Sequence, residues 1–249
     1  MNRFLTITIG LFLITACSSD EEKDTEVSYK SLEVEESHLA VHEDATEHYR
    51  WPAIKTHGDE MLEEVERLLS YEMIVGESMD STRAMFNECH CGLMGTDYLV
   101  NYNENGLFDI AFELIYNYNE REIIHESYCI WIEKGTYLLH RELLDTAVCE
   151  PLVSICNEQL QKNIATALGG LSEEEDMALS YLYEGHEFTS DNLRPFSLNE
   201  KGVNFIYSFM FPRSARILQP DGTIFISFDD LKPFLNPEGP LGHLAATPA

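Results

Sequence analysis

The sequence predicts an α+β fold, an antiparallel β-sheet built from hairpins and packed with a few α-helices. Three observations carry this. Two central stretches alternate apolar and polar residues around short glycine-containing turns, and other stretches repeat apolar residues every three or four positions. Strands and helices also come in groups joined by hairpins, which argues against parallel βαβ units.

Taken in order, Tyr29 to Glu35 alternates, with Leu32 and Val34 inward and Glu33 and Glu35 outward, as a first strand does. Tyr49-Arg50-Trp51-Pro52 reads as a break, because proline lacks a ladder donor and restricts the residue before it. Gly58-Asp59 opens a helix with Leu62, Val65, Leu68 and Leu69 on one face and Glu63, Glu64 and Glu66 on the solvated one. Tyr98, Val100 and Tyr102 alternate up to Asn103-Glu104-Asn105-Gly106, and Phe108, Ile110, Phe112 and Leu114 return, which is a strong hairpin signal. A second pair runs from Tyr128 to Ile132, through a turn at Glu133-Lys134-Gly135, and back from Tyr137 to His140. After Pro151 a helix carries Ile155, Leu160, Ile164 and Leu168 and stops at Gly169-Gly170. Ser172-Glu173-Glu174-Glu175 reads as a capping box for a helix with Met177, Leu179 and Leu182. Two strands close the chain, Val203 to Phe211 and Thr223 to Phe228, followed by a short amphipathic segment from Asp229 to Leu235.

Composition narrows the partners. The chain has 249 residues with 44 acidic against 16 basic side chains, a formal charge of −28. A nucleic acid backbone is bound by cationic surface, so nucleic acid is excluded as a partner. An anionic lipid face is disfavoured on the same ground.

The N-terminus gives the address. Arg3 precedes an apolar run from Phe4 to Ile14, too short for a mature membrane span and suited to a secretory leader. Leu13-Ile14-Thr15-Ala16-Cys17 resembles the bacterial lipobox, in which small residues admit the signal peptidase and the thiol receives the lipid. Residues 1–16 are thus expected to be a lipoprotein signal peptide, with Cys17 lipidated and palmitate among its acyl chains. Multiple chains on one residue hold a protein stably at a membrane. Ser18 after the cysteine favours the outer membrane, with the protein facing the periplasm or the cell surface. Residues 17–28 form an acidic tether, 29–146 an N-terminal α+β region, 147–236 a C-terminal one, and 237–249 a tail.

Export permits disulfides. Beyond Cys17 an odd number of cysteines remains: Cys89, Cys91, Cys129, Cys149 and Cys156. Cys149 and Cys156, flanking a proline-started helix, are the first candidate pair, and one of Cys89 or Cys91 joining Cys129 on a neighbouring strand is the second. Cys89-His90-Cys91 lacks the wider spacing and second pair of a structural zinc site, so no metal is expected, and no cofactor either. His38 and His42 lack the glutamate of a zincin helix, and no nucleophile elbow, Walker loop or dinucleotide fingerprint occurs. No catalytic residues are assigned. His125, His140 and His186 read as edge or satisfied-core histidines.

The stretch Phe196-Ser197-Leu198-Asn199-Glu200-Lys201-Gly202-Val203-Asn204-Phe205-Ile206-Tyr207, with Thr223-Ile224-Phe225-Ile226-Ser227-Phe228 and the segment through Leu235, resembles the RsiV-like family of exported bacterial domains (DUF3298). Residues 98–114 and 131–144 are similar to the DUF4163-like region that precedes it. The resemblance runs patchily through residues 48–236 and implies an α+β domain. Some members of the family bind lysozyme as ectodomains of anti-sigma factors, and others accompany peptidoglycan deacetylases. The chain has no room for a separate deacetylase domain. It departs from the lysozyme binders between the last two strands, where Phe211-Pro212-Arg213-Ser214-Ala215-Arg216 replaces a Pro-Tyr-Glu-Ile-Ala-like segment. The expectation is a lipid-anchored, non-catalytic binding module of the cell envelope. Its partner is a protein or peptidoglycan ligand, lysozyme as a cationic protein being one, and Phe211, Arg213 and Arg216 form the contact. The alternative is an enzyme or inhibitor acting on cell-wall glycans or their hydrolases.

Overall fold

The structure is a computed structural model that describes residues 31–41, 48–172, 174 and 178–245. The signal peptide, the lipobox with Cys17, the whole tether (residues 17–28) and His42 lie outside the described residues, as do Glu173, Glu175 and Met177 of the expected capping box and helix.

The fold is α+β, with three antiparallel sheets among the described residues. β1 (Val34–His38) pairs with β2 (Arg50–Ile54). The strand expected from Tyr29 begins later, although Leu32 is buried and Glu33 and Glu35 are exposed as the alternation requires. Pro52 lies inside β2 rather than breaking the chain: it pairs with Glu36 of β1, and among the described residues no second ladder needs a proline N–H.

Three helices follow. α1 (Glu60–Leu68) is capped by the Asp59 carboxylate, which accepts from the Met61 and Leu62 N–H groups, and α2 (Tyr71–Val75) and α3 (Met79–Cys89) complete the layer. The main sheet has the order β3 (Gly92–Glu104), β4 (Leu107–Asn117), β5 (Arg121–Trp131), β6 (Thr136–Tyr137). Asn105 and Gly106, at φ 55° and 75°, make the β3–β4 turn, the left-handed pair that matches strand twist in a two-residue hairpin.

β4 is a shared wall. Its side chains alternate between faces: Phe108, Ile110, Phe112, Leu114 and Tyr116 enter a core with Trp51, Val65, Leu68, Leu69, Tyr71 and Leu93. There the Trp51 ring packs at a tilt 4.8 Å from Phe112 and donates its indole N–H to the Leu69 carbonyl at 2.9 Å. Leu107 on the opposite face joins Tyr102, Cys129 and Trp131 in a second core, built mainly from the C-terminal half.

That half starts with α4 (His140–Leu143) and α5 (Glu150–Gly169). The buried stripe of α5 is Leu152, Cys156, Leu160 and Ile164, so Leu160 and Ile164 face the core as expected, while Ile155 is exposed and Cys156 beside it takes the buried position. The third sheet, β7 (Phe196–Asn199), β8 (Gly202–Ile206) and β9 (Thr223–Ser227), follows, and α6 (Phe228–Leu231) is capped by the Ser227 hydroxyl. β8 stops at Ile206 rather than running to Phe211. Among the described residues no helix is long and apolar enough to cross a membrane.

Candidate binding site

The segment between β8 and β9 is the most distinctive surface of the C-terminal half. It leaves the sheet with one more bond, Tyr207 N–H to the Gly222 carbonyl at 2.8 Å. A Cβ at Gly222 would stand 2.0 Å from the Tyr207 oxygen, so this closure requires glycine. Phe209 and Phe211 then turn inward while Met210 between them turns out, at φ 55°. A non-glycine residue seldom adopts that conformation. A 3-10 helix from Arg213 to Leu218 carries the chain back, with Ala215 buried beneath it.

The anchor under this loop is aromatic. Phe209 meets the His186 ring at 4.9 Å and the Tyr207 ring at 4.9 Å, and Phe211 packs edge-on to Tyr183 at 5.1 Å. His186 contacts the Tyr207 hydroxyl at 3.0 Å and the Leu182 carbonyl at 2.8 Å. It is thus a satisfied packing histidine. Above this base the loop presents Met210, 84% exposed, and Ile217, 92% exposed, beside the exposed Arg213 and Arg216. Arg213 pairs with Glu120 in the β4–β5 turn at 2.5 Å, tying the loop to the main sheet.

Of the three residues expected to contact a partner, Arg213 and Arg216 are on the surface and Phe211 is not. Phe211 is 5% exposed, the second aromatic anchor of the loop, so its assignment to a contact surface is corrected. Sequence reasoning missed Met210 and Ile217. Inward Phe209 and Phe211 separated by one residue carried the signal for Met210, since alternation puts the middle residue outside.

The cysteines pair differently from expectation. The disulfide joins Cys89 to Cys91, with Cα atoms 5.2 Å apart, and Cys129, Cys149 and Cys156 are free and buried. Cys149 and Cys156 sit seven residues apart at the start of one helix. At 1.5 Å rise per residue this separates them by about 10 Å, beyond the reach of a disulfide. Cys129 lies against Asp109 instead. His90 between the bonded cysteines ends α3 in the left-handed conformation, φ 52°. Burial raises the thiol of Cys149 to about 11 and that of Cys156 to about 12.

A buried polar junction joins the two halves and was not foreseen from sequence. Asp109 of β4 is fully buried. One carboxylate oxygen accepts the Asn101 side-chain N–H at 2.9 Å and the other the Leu198 backbone N–H of β7 at 3.0 Å, and the Cys129 thiol also bonds the carboxylate. Asn101 reaches it because β3 shifts register between Val100 and Tyr102. Burial is the main influence and raises Asp109 to about 6 against these stabilising bonds. The Cys129 thiol is pushed up by burial and then by the neighbouring carboxylate.

The exposed part of the main sheet's C-terminal-facing side has a cleft of about 230 Å³ lined by Asp97, Leu99, Ala111, Glu113 and His125. Asp97 of β3 and Glu113 of β4 are cross-strand partners, and Glu113 is in turn paired with His125 of β5. Asp97 is engaged by Arg50 at 2.7 Å. His140 opens α4, and burial lowers its pKa. Among the described residues no group of three His, Cys, Asp or Glu side chains is placed to hold a metal ion.

No family profile and no curated protein matches the chain. Its fold is similar to that of a solved DUF3298 family protein. A crystal structure of a DUF3298 family protein from Pseudomonas aeruginosa PAO1 aligns with a TM-score of 0.54 and 13% identity, covering 88% of this chain and 98% of that one. A DUF3298 member from Bacteroides fragilis NCTC 9343 aligns at 0.49 with 13% identity, covering 87% and 98%.

Proposed function

We propose that this protein is a lipid-anchored envelope lipoprotein, of RsiV-like character, that acts as a non-catalytic binding module at the outer membrane. The observation that carries this is the loop from Phe209 to Leu218. Two large apolar side chains, Met210 and Ile217, stand almost fully in solvent on a base fixed by buried aromatics. Met and Arg, both present on this projection, are among the residue types enriched in protein interfaces. The chain's −28 charge attracts a cationic partner, lysozyme or a wall-associated protein, to the protein as a whole and sets the encounter rate, while the loop makes the contact.

The test is calorimetric titration with purified lysozyme and with soluble peptidoglycan fragments, comparing the native chain with a Met210→Ser, Ile217→Ser double variant. Tenfold weaker binding by the variant, at unchanged melting temperature, supports the loop. Equal binding by both removes it. The glycan-directed enzyme reading is favoured by one observation, the carboxylates Asp97 and Glu113 sharing a cleft. Turnover of peptidoglycan that disappears in Glu113→Gln would establish it in place of the binding module.

A further inference from the structure

The two edges of the main sheet are finished differently. β3 is shifted in register at Leu93/Gly95 and at Val100/Tyr102, and the chain around β2 covers it, with Tyr49 bridged to Thr96 and the Thr96 hydroxyl bonded to the Arg50 carbonyl at 2.9 Å. Bulges and covering segments are how proteins blunt a sheet edge. β5 has neither. It pairs with β4 without a register shift from Leu107↔Trp131 to Asn117↔Arg121, and on its other side β6 covers Ile130 and Trp131 alone.

The orientation of the free groups follows from two bonds. The Cys129 carbonyl accepts from Leu138 on the β6 side, and Ile132 N–H donates to Gly106 on the β4 side. Odd-numbered residues of β5 therefore aim their backbone N–H and C=O away from β4. Ile123, His125 and Ser127 are exposed, and among the described residues no strand pairs with them on this side. They offer a ladder about five residues long.

Each face beside this edge has a recess. The cleft with Leu99, Glu113 and His125 lies on one, and a second of about 410 Å³, lined by Val75, Glu77, Tyr116, Tyr118, Glu122 and Ile124, lies on the other. An added strand's side chains alternate between faces, so both recesses are within its reach. The surrounding charge is mostly acidic: Asp97, Glu113, Glu77, Glu122 and Glu126 against Arg121 and His125. A second copy of this chain brings another −28 and is repelled.

We infer that the outer edge of β5, from Ile123 to Ser127, is a strand-addition site for an extended segment of a partner protein with alternating apolar and basic residues. Main-chain bonds to Ile123, His125 and Ser127 supply the affinity, and the two recesses supply the preference for apolar and cationic side chains. The site is separate from the Phe209–Leu218 loop and does not depend on that reading.

The probe is an acetylated, amidated hexapeptide of alternating valine and lysine, added to the protein while backbone amides are followed by NMR hydrogen exchange. Slowed exchange at Ile123, His125 and Ser127 is expected. At least tenfold weaker binding is expected when alternate peptide bonds of the probe are N-methylated, or when its lysines become glutamates. His125→Pro removes one outward donor from an edge position where proline leaves the β4 ladder intact, and it should weaken binding to the same degree. If that variant unfolds, the N-methylated probe decides alone. Absence of binding, equal binding of the methylated probe, or binding that leaves these three amides unchanged overturns the proposal. So does sedimentation of the free protein as a dimer with those amides already protected.

Discussion

Replacing Asp109 with asparagine tests the junction between the two halves most directly. Burial raises this carboxyl from 3.8 to about 6 in the folded chain, and in the unfolded chain it returns to the ordinary range. An acid whose folded pKa is raised contributes stability that is fully present below the unfolded value and lost as pH climbs through the folded one. The window is therefore pH 4 to 6, and the loss at pH 7 is about 3 kcal/mol. Asparagine keeps the shape and an oxygen to accept the Leu198 N–H, but does not titrate. The assay is urea unfolding of both proteins at half-unit steps from pH 4 to 7.5. Other carboxylates, among them Glu142 with its depressed pKa, titrate in both proteins and cancel in the difference. Wild-type stability relative to Asp109→Asn should fall by about 3 kcal/mol across the window. A difference that stays flat within about 0.5 kcal/mol would mean that water reaches the carboxylate, and the burial argument fails.

Cys17→Ser should abolish acyl labelling and leave the precursor unprocessed; palmitate incorporation equal to wild type refutes the lipobox reading. Peptide mapping under non-reducing conditions should recover the Cys89–Cys91 bridge, with Cys129, Cys149 and Cys156 alkylated only after denaturation, and rapid native-state labelling of any of these three contradicts their burial. Phe211→Ala should lower unfolding free energy by about 3–5 kcal/mol through the cavity left under the loop, and a change below about 1 kcal/mol would return Phe211 to the surface. Once a ligand is in hand, Arg213→Ala with Arg216→Ala should weaken binding about tenfold, or about 1.4 kcal/mol, at unchanged melting temperature; normal affinity excludes the arginines as contacts.

Alternation and turn chemistry made much of the sheet legible. Tyr98 to Leu114 with its Asn-Gly turn is a hairpin, and Asp59 caps the first helix as its position suggested. What failed depended on the third dimension. Asp109 looks like a solvent-facing residue because its strand neighbours Ala111 and Glu113 do lie outward, and only packing of β7 across the end of the sheet buries it. Cys149 and Cys156 are near in sequence, yet helical rise holds them apart, and the bridge formed instead where α3 ends. In the loop, burial reversed one of the three residues that composition had put on the surface: Phe211 secures the segment, and Met210 and Ile217 face solvent.

The shared wall has a consequence for cutting the chain. A fragment ending near residue 146 would retain β4 and β5 but strip the cover from Leu107, Trp131 and Asp109, exposing a greasy patch and rehydrating the carboxylate. A fragment starting there would lack the surface on which its own β7 rests. Neither piece is a transplantable cassette, and graft or truncation studies on this protein should carry the whole span from Leu32 to Leu241.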